Sequence, residues 1–174
     1  SLEIAVLAPL PELRVRPRFY EEKVSTLVAP LTDLFAELDI TFIAGHAEQI
    51  DTTAKTVSYR MSGGAHATAS YDRLILATGS QTKRPPIAGL ADYAFDIDQL
   101  ESAQVFERHL DSLALRPSTP ERNTVVVCGG GFTGIELATE LPARLRARFG
   151  DNTEIKIVVV ERGPVIGGRY SDAL

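Results

Sequence analysis

The chain has 174 residues, 44% of them hydrophobic and 24% charged, which is the composition of a globular protein with one or two small domains. Its net charge of −5 argues against non-specific nucleic-acid binding, and its three histidines lack metal-like spacing. The single cysteine excludes a disulfide framework within these residues and favours a reducing cytoplasm, and no apolar run approaches the roughly 18–20 residues of a membrane span.

The first half of the sequence is dominated by strand signals. In chain order we predict a buried strand, a loop, a helix and a second strand over residues 2–8, 10–22, 31–38 and 40–50. Pro30 should occupy the first turn of the helix, and the second strand should break near Gly45. Alternating residues on either side of Gly63-Gly64 then predict a hairpin over 55–60 and 65–70.

The second half alternates strands with helices. We predict a short buried strand, a helix and a linker over 74–77, 99–115 and 116–123, with the domain boundary at the linker. A β-α-β unit follows, with strands at 124–127 and 155–160 and a helix at 132–149, and its strands should lie parallel and adjacent. Pro142 should kink or interrupt this helix, and Cys128 should be a small buried residue at the strand end.

A glycine-rich turn joins the strand and helix of this unit, and it carries the strongest chemical signal. Gly129, Gly131 and Gly134 form G-x-G-x-x-G between a strand and a helix, the context in which that pattern indicates a dinucleotide site. The first glycine permits the sharp turn, the second admits a pyrophosphate, and the third lets helix and strand pack closely. The start of the helix then offers N–H groups and a partial positive charge to phosphates.

Two carboxylates extend this motif. Glu161 ends the next strand, where it can accept hydrogen bonds from both ribose hydroxyls and would repel a 2′-phosphate, which favours NADH over NADPH. Arg162 is a counter-signal, since an arginine there could hold that phosphate. Glu136 is open to two interpretations, a carboxylate favoured by the helix dipole or a residue facing the nicotinamide.

A second motif lies upstream. Residues 71–80 read Y-D-R-L-I-L-A-T-G-S, in which a strand ends in small residues. Followed by a P-P-I-A-G-L loop, a helix and V-V-V-C-G-G-G-F-T-G-I-E-L-A-T-E-L, this order resembles the FAD-dependent pyridine nucleotide-disulfide oxidoreductase superfamily. The last motif looks most like that of type II NADH dehydrogenases.

The resemblance implies a Rossmann-like α/β fold in which an NADH-binding domain interrupts an FAD-binding domain. Residues 1–117 would be an incomplete flavin domain with a β-hairpin layer, and residues 118–174 an incomplete NADH-binding β-α-β half. The flavin contacts it implies are Ala77, Thr78 and Gly79 and the backbone of His46 and Ala47. The NADH contacts it implies are Gly129, Gly130, Gly131, Phe132, Thr133, Gly134 and Glu161, with Glu136 near the nicotinamide.

The activity implied is hydride transfer from NADH to flavin and onward to an acceptor such as a quinone, in a protein peripheral to the cytoplasmic membrane face. The family's first glycine motif would precede Ser1, and Ala8-Pro9 stands where an acid for the flavin ribose is expected. We therefore expect no tight FAD retention and no activity from this segment alone, and we assign no catalytic acid, base or metal. The absence of C-x-x-C excludes a dithiol mechanism here.

The residues leave two alternative functions and one question of assembly open. The first is another flavin-dependent NAD(P)H reductase of the superfamily, of the ferredoxin, nitrite or sulfide–quinone type. The second is a catalytically inactive nucleotide-binding or interaction fragment. The assembly follows from size. Because one β-α-β unit buries too little apolar surface to be stable alone, we expect a homo-oligomer or a swapped dimer.

Overall fold

The fold is mixed α/β, as predicted, and it divides into two compact units. A computed structural model describes residues 2–168 of the chain. The first unit contains the residues up to Arg14 together with Val28–Ser80, and the second contains Val15–Leu27 together with the residues from Gln81 onward. This division differs from the predicted boundary at residue 117, because the helix and linker before it pack with the β-α-β unit. The assignment of residues 1–117 and 118–174 to flavin and NADH domains stays a prediction.

The first unit is built on a four-stranded sheet. In spatial order, its strands are β1 (Ile4–Ala8), β4 (Ile40–Asp51), β5 (Thr56–Met61) and β6 (His66–Ser70). β1 and β4 are parallel, whereas β4, β5 and β6 are successively antiparallel, which confirms the hairpin with Gly64 in its turn at φ +85°. A short antiparallel pair, β2 (Glu12–Arg14) and β3 (Val28–Pro30), and helix α1 (Thr32–Glu37) complete the unit.

Strand β4 is continuous through Gly45, so the predicted break is wrong. A Cβ at Gly45 would lie 2.9 Å from both the carbonyl oxygen of Arg60 and the ring of Tyr59. The glycine therefore permits close approach of β5 rather than ending the strand. The ladder irregularity falls instead between Ala47 and Gln49.

Three further expectations at this end of the chain need correction. Pro30 ends β3, and α1 begins two residues later at Thr32. The predicted loop over 10–22 contains β2 and a 3₁₀ turn at Arg16–Arg18. β1 is exposed or half-buried along its length instead of buried.

Residues 74–77 form no strand, contrary to prediction. Ile75 and Leu76 are 88% and 66% exposed in a segment without regular secondary structure, and no described strand pairs with them. Apolar and β-branched residues only favour a strand. A strand forms when a neighbouring strand accepts and donates the hydrogen bonds of its backbone.

The second unit contains a β-α-β unit and two further helices. Its elements are α2 (Leu90–Tyr93), α3 (Leu100–Leu113), β7 (Thr124–Cys128), α4 (Phe132–Phe149) and β8 (Lys156–Val160). β7 and β8 are parallel neighbours, as predicted, with Val126 opposite Val158. No helix in the described part of the chain is both long enough and apolar enough to cross a membrane.

Helix α4 passes through Pro142 without interruption, so the predicted interruption near Leu141 is wrong, and the alternative of a kink stays a prediction. Leu141 and Leu145 lie on either side of the proline, and both are fully buried. The burial of these two side chains stabilises the helix and offsets the loss of the hydrogen bond that a proline removes.

Within the second unit, two arginines of α4 hold the segment Val15–Leu27 in place. Arg144 is almost fully buried, and its Nη1 donates to the carbonyl of Tyr20 at 2.7 Å. Arg148 donates through Nη1 to Glu22 at 2.6 Å and through Nε to Asp111 of α3 at 2.7 Å. Burial, with a smaller repulsion from Arg148, lowers the pKa of Arg144. These contacts fix a chain segment that is separated in sequence from the rest of the unit, which resumes at Gln81.

Candidate functional site

The turn between β7 and α4 places a glycine backbone at the start of a long helix. Gly129 has φ +119°, a left-handed conformation that favours glycine, and its N–H donates to the carbonyl of Val160 at 2.8 Å. Gly131 is the N-cap of α4 and makes no side-chain capping hydrogen bond. The first N–H groups of any helix lack intrahelical acceptors, so this turn presents donors and the positive end of the helix dipole.

Two glycines of the motif differ in their surroundings, since one is tightly packed and the other faces open space. A Cβ at Gly134 would lie 2.0 Å from the carbonyl oxygen of Gly129, so α4 packs on the turn only with glycine at this position. A Cβ at Gly131 would meet nothing within 4 Å. The protein's own packing therefore does not require glycine at 131, which fits a position kept clear for a phosphate group.

Glu161 is held beside this turn by backbone donors. The N–H of Gly130 donates to its Oε2 at 2.6 Å, and the N–H of Gly163 donates to its Oε1 at 2.9 Å. These two hydrogen bonds lower the pKa of Glu161 and outweigh the opposing effect of desolvation. The result is an ionised carboxylate in a fixed position at the end of β8.

An open cleft of about 850 Å³ lies between the glycine turn and the loop that follows β8. We call it the glycine cleft, and its lining includes Gly129, Gly130, Gly131, Glu161, Arg162 and Gly163. The N–H of Gly167 donates to the carbonyl of Gly130 at 2.9 Å, which ties the far wall to the turn. The cleft thus combines a helix N-terminus with a carboxylate, the pair of groups that a dinucleotide requires.

The remaining predicted residues of the second unit surround this turn. Phe132 and Thr133 occupy the first turn of α4 with exposed side chains, and Glu136 follows, half-buried. Cys128 is exposed, so its predicted burial is wrong. Alternation along β7 explains this, because Val127 faces α4 and Cys128 therefore lies on the opposite face.

The predicted flavin contacts all belong to the first unit. Ala77, Thr78 and Gly79 lie in an exposed segment without regular secondary structure, with Gly79 at φ +70°. His46 and Ala47 lie in β4, opposite Arg60 and Tyr59 of β5, with exposed side chains. Their role in flavin binding stays a prediction.

Sequence reasoning missed the loop after β8 as a wall of the site. Gly163, Gly167 and Gly168 line the glycine cleft, and the stretch E-R-G-P-V-I-G-G was the available signal. The described residues contain no cluster of His, Cys, Asp or Glu that could hold a metal ion.

Comparison with known proteins relates most of the chain to one family. The family model for pyridine nucleotide-disulphide oxidoreductases matches residues 12–173. An NADH dehydrogenase-like protein of Mycobacterium tuberculosis is 36% identical over 96% of this chain and 41% of its own length. A type II NADH:quinone oxidoreductase of Staphylococcus haemolyticus is 31% identical over 85% of this chain and 38% of its own length. The chain therefore spans about two fifths of the length of these relatives.

Solved structures share the fold. NDH2 from Plasmodium falciparum, in complex with NADH, superposes with a TM-score of 0.78 at 17% identity and covers 96% of this chain and 38% of its own. The sulfide:quinone oxidoreductase of Aquifex aeolicus superposes with a TM-score of 0.77 at 25% identity, over 95% of this chain and 38% of its own.

Proposed function

The chain belongs to the pyridine nucleotide-disulphide oxidoreductase family, and on that premise we propose that its glycine cleft binds the NADH of an FAD-dependent NADH:acceptor oxidoreductase. The observation that carries the proposal is the clear space at Gly131, the N-cap of an 18-residue helix, beside an ionised carboxylate. A helix N-terminus favours a pyrophosphate, and the missing side chain lets it approach the backbone.

Glu161 supports NADH as the nucleotide. Its carboxylate stands at the end of β8, where it can accept hydrogen bonds from the two hydroxyls of the adenosine ribose. The same negative charge opposes the 2′-phosphate of NADPH, although Arg162 also lines the cleft. A relative named as a type II NADH:quinone oxidoreductase points to the same nucleotide.

The chemistry of the reaction comes from cofactors, and the residues described here bind and orient them. FAD, when bound, supplies a two-electron acceptor for the hydride of NADH. Ala77, Thr78, Gly79, His46 and Ala47 are the contacts that we propose for it in the first unit. Glu136, in the second turn of α4, is the residue that we propose near the nicotinamide.

A quinone is the acceptor that we propose, on the strength of relatives named for quinone reduction. The principal alternative is a sulfide-oxidising or other flavin-dependent reductase of the family. The sulfide branch requires redox cysteines, whereas the one cysteine of these 174 residues ends strand β7. A peripheral membrane position and self-association belong to the same proposal.

The nucleotide site is tested by comparing two glycine substitutions by calorimetry. Gly131→Val places a side chain where the protein has no neighbouring atoms, so it should leave the fold intact and weaken NADH binding at least tenfold. Gly63→Val is the matched control, because a Cβ there also meets nothing within 4 Å but lies in the hairpin turn. Equal NADH affinities in the wild type and Gly131→Val would remove the site assignment.

A further inference from the structure

Gly130 is held at both of its backbone polar groups by the loop that follows β8. We call residues 161–168 the β8 loop. The N–H of Gly130 donates to Oε2 of Glu161 at 2.6 Å, and its carbonyl accepts from the N–H of Gly167 at 2.9 Å. Glu161 is fixed in turn by the N–H of Gly163, which donates to Oε1 at 2.9 Å. The middle one of three consecutive glycines is therefore clamped between two points of one loop.

One contact of the clamp sets the peptide group that joins Gly129 to Gly130. In a trans peptide the carbonyl and the N–H point to opposite sides. Since the N–H of Gly130 points to Glu161, the carbonyl of Gly129 is turned the other way. The packing of α4 agrees, because a Cβ at Gly134 would lie 2.0 Å from that carbonyl oxygen. The hydrogen bond to Glu161 and the close approach of α4 thus require the same orientation of this peptide.

The other contact sets the next peptide group, which joins Gly130 to Gly131. The carbonyl of Gly130 points to Gly167, so the N–H of Gly131 is directed away from Gly167. Gly131 is the N-cap of α4, and an added Cβ there would meet nothing within 4 Å. Its N–H is one of the donors that a helix leaves without an intrahelical acceptor. The direction of this donor therefore depends on the β8 loop.

Charge alone makes Glu161 an unfavourable neighbour for a phosphate group. Backbone hydrogen bonds lower the pKa of Glu161, so its carboxylate is ionised at neutral pH and repels an anion. Its Oε2 also occupies the N–H of Gly130, a donor that a phosphate could otherwise use. Ordering the turn offsets these two losses, because consecutive glycines lose the most conformational freedom when they are fixed. A turn that is ordered before the ligand arrives binds it more tightly.

We propose that Glu161 is a positioning residue for the phosphate-binding turn, and that it acts through Gly130 to aim the N–H of Gly131 at a phosphate group. Gly167 is the second point of the same clamp. This inference rests on the proposed function and gives Glu161 a role beyond its contact with the ribose. The two roles are compatible, because each carboxylate oxygen has two lone pairs and can accept from a hydroxyl as well as from a backbone N–H.

The test uses inorganic pyrophosphate, which has no ribose, and measures its dissociation constant from the backbone amide NMR signals of the intact chain. Glu161→Ala should weaken pyrophosphate binding about fivefold or more, because the turn loses its clamp. Glu161→Gln keeps an acceptor for Gly130 and loses the repulsive charge, so it should bind pyrophosphate at least as tightly as the wild type. Glu154→Ala removes an exposed carboxylate from the loop before β8, and as the control it should leave the affinity unchanged.

The direction of the change separates positioning from charge. If Glu161 acts only through its charge and its ribose contact, Glu161→Ala and Glu161→Gln should both tighten pyrophosphate binding by the same factor. That result would overturn the inference and leave the NADH site standing, as would a wild-type chain that binds NADH but not pyrophosphate. A wild-type chain that binds neither would overturn the proposed function and the inference together. Thermal unfolding of each variant identifies a loss of binding that is caused by a loss of fold.

The clamp also has a spectroscopic signature that a purely structural role of Glu161 would not produce. Arg162 and the backbone donors lower the pKa of Glu161, so the amide proton signal of Gly130 should titrate with a midpoint below 4.5. Glu161→Gln should abolish this titration while it preserves pyrophosphate binding. A signal of Gly130 that does not change with pH in the wild type would contradict the hydrogen bond on which the clamp depends.

Discussion

The glycines of the turn between β7 and α4 meet different physical demands. Gly134 is required by packing, because a Cβ would collide with the carbonyl of Gly129. Gly130 lies close to Glu161, whose Oε2 would be 3.2 Å from an added Cβ and would have to shift slightly to admit it. Gly131 faces open space, so packing does not require glycine there, and we propose that a phosphate group does. The G-x-G-x-x-G motif in the sequence predicts Gly131 and Gly134, but the structure is needed to show that packing requires only the second of them.

At the same scale, Glu161 is expected to set nucleotide preference. Glu161→Gln keeps an acceptor for the N–H of Gly130 but removes the charge that opposes a 2′-phosphate. The ratio of NADPH to NADH dissociation constants should therefore fall about tenfold or more, mainly through tighter NADPH binding. Glu154→Gln, an exposed change in the loop before β8, should leave the ratio unchanged.

The pH dependence of this preference has a definite sign. Since backbone hydrogen bonds lower the pKa of Glu161 below the ordinary value of 4.5, the charged form is present above that value. The wild-type preference should hold from about pH 8 to about pH 6 and be lost only as the pH falls through the lowered pKa. A preference for NADH that survives in Glu161→Gln would show that another group sets it.

At the scale of elements, the β-α-β unit was the most predictable part of the chain. Its helix bounds agree at both ends and its strand bounds agree within one residue, because the β-branched runs and the glycine turn agree with the fold. Residues 74–77 carry the same strand signal but have no pairing partner among the described strands. Pro142 illustrates the converse, since buried leucines on either side keep α4 helical where local propensity predicts a break.

The packing of α4 on its strand makes a prediction about stability. Gly134→Ala should lower the free energy of unfolding by about 1–3 kcal/mol, the usual cost of overpacking, because the turn must move to admit the methyl group. Gly131→Ala adds the same methyl group in open space and should change that free energy by less than about 1 kcal/mol. Urea denaturation of both variants measures the difference. Equal stability of the two variants would contradict the close approach of α4 to the turn.

At the scale of the whole molecule, the sequence could not reveal which segments fold together. Arg148 and Glu22 are 126 positions apart, yet their ion pair fastens Val15–Leu27 to the second unit. The composition of the 116–123 linker predicts a single boundary along the chain. It cannot show that an early segment packs with residues far later in the sequence. The same limit applies to the ion pair of Arg16 and Asp98, which are 82 positions apart. Self-association and the flavin role of the first unit stay predictions.

The central claim is that NADH binds across the start of α4, and amide hydrogen exchange with and without NADH tests it most directly. We predict that NADH slows exchange at residues 129–135 and 161–163, whose backbone lines the glycine cleft or begins α4. The hairpin of β5 and β6 should exchange at the same rate in both conditions. Unchanged exchange at residues 129–135 in the presence of saturating NADH would contradict the account.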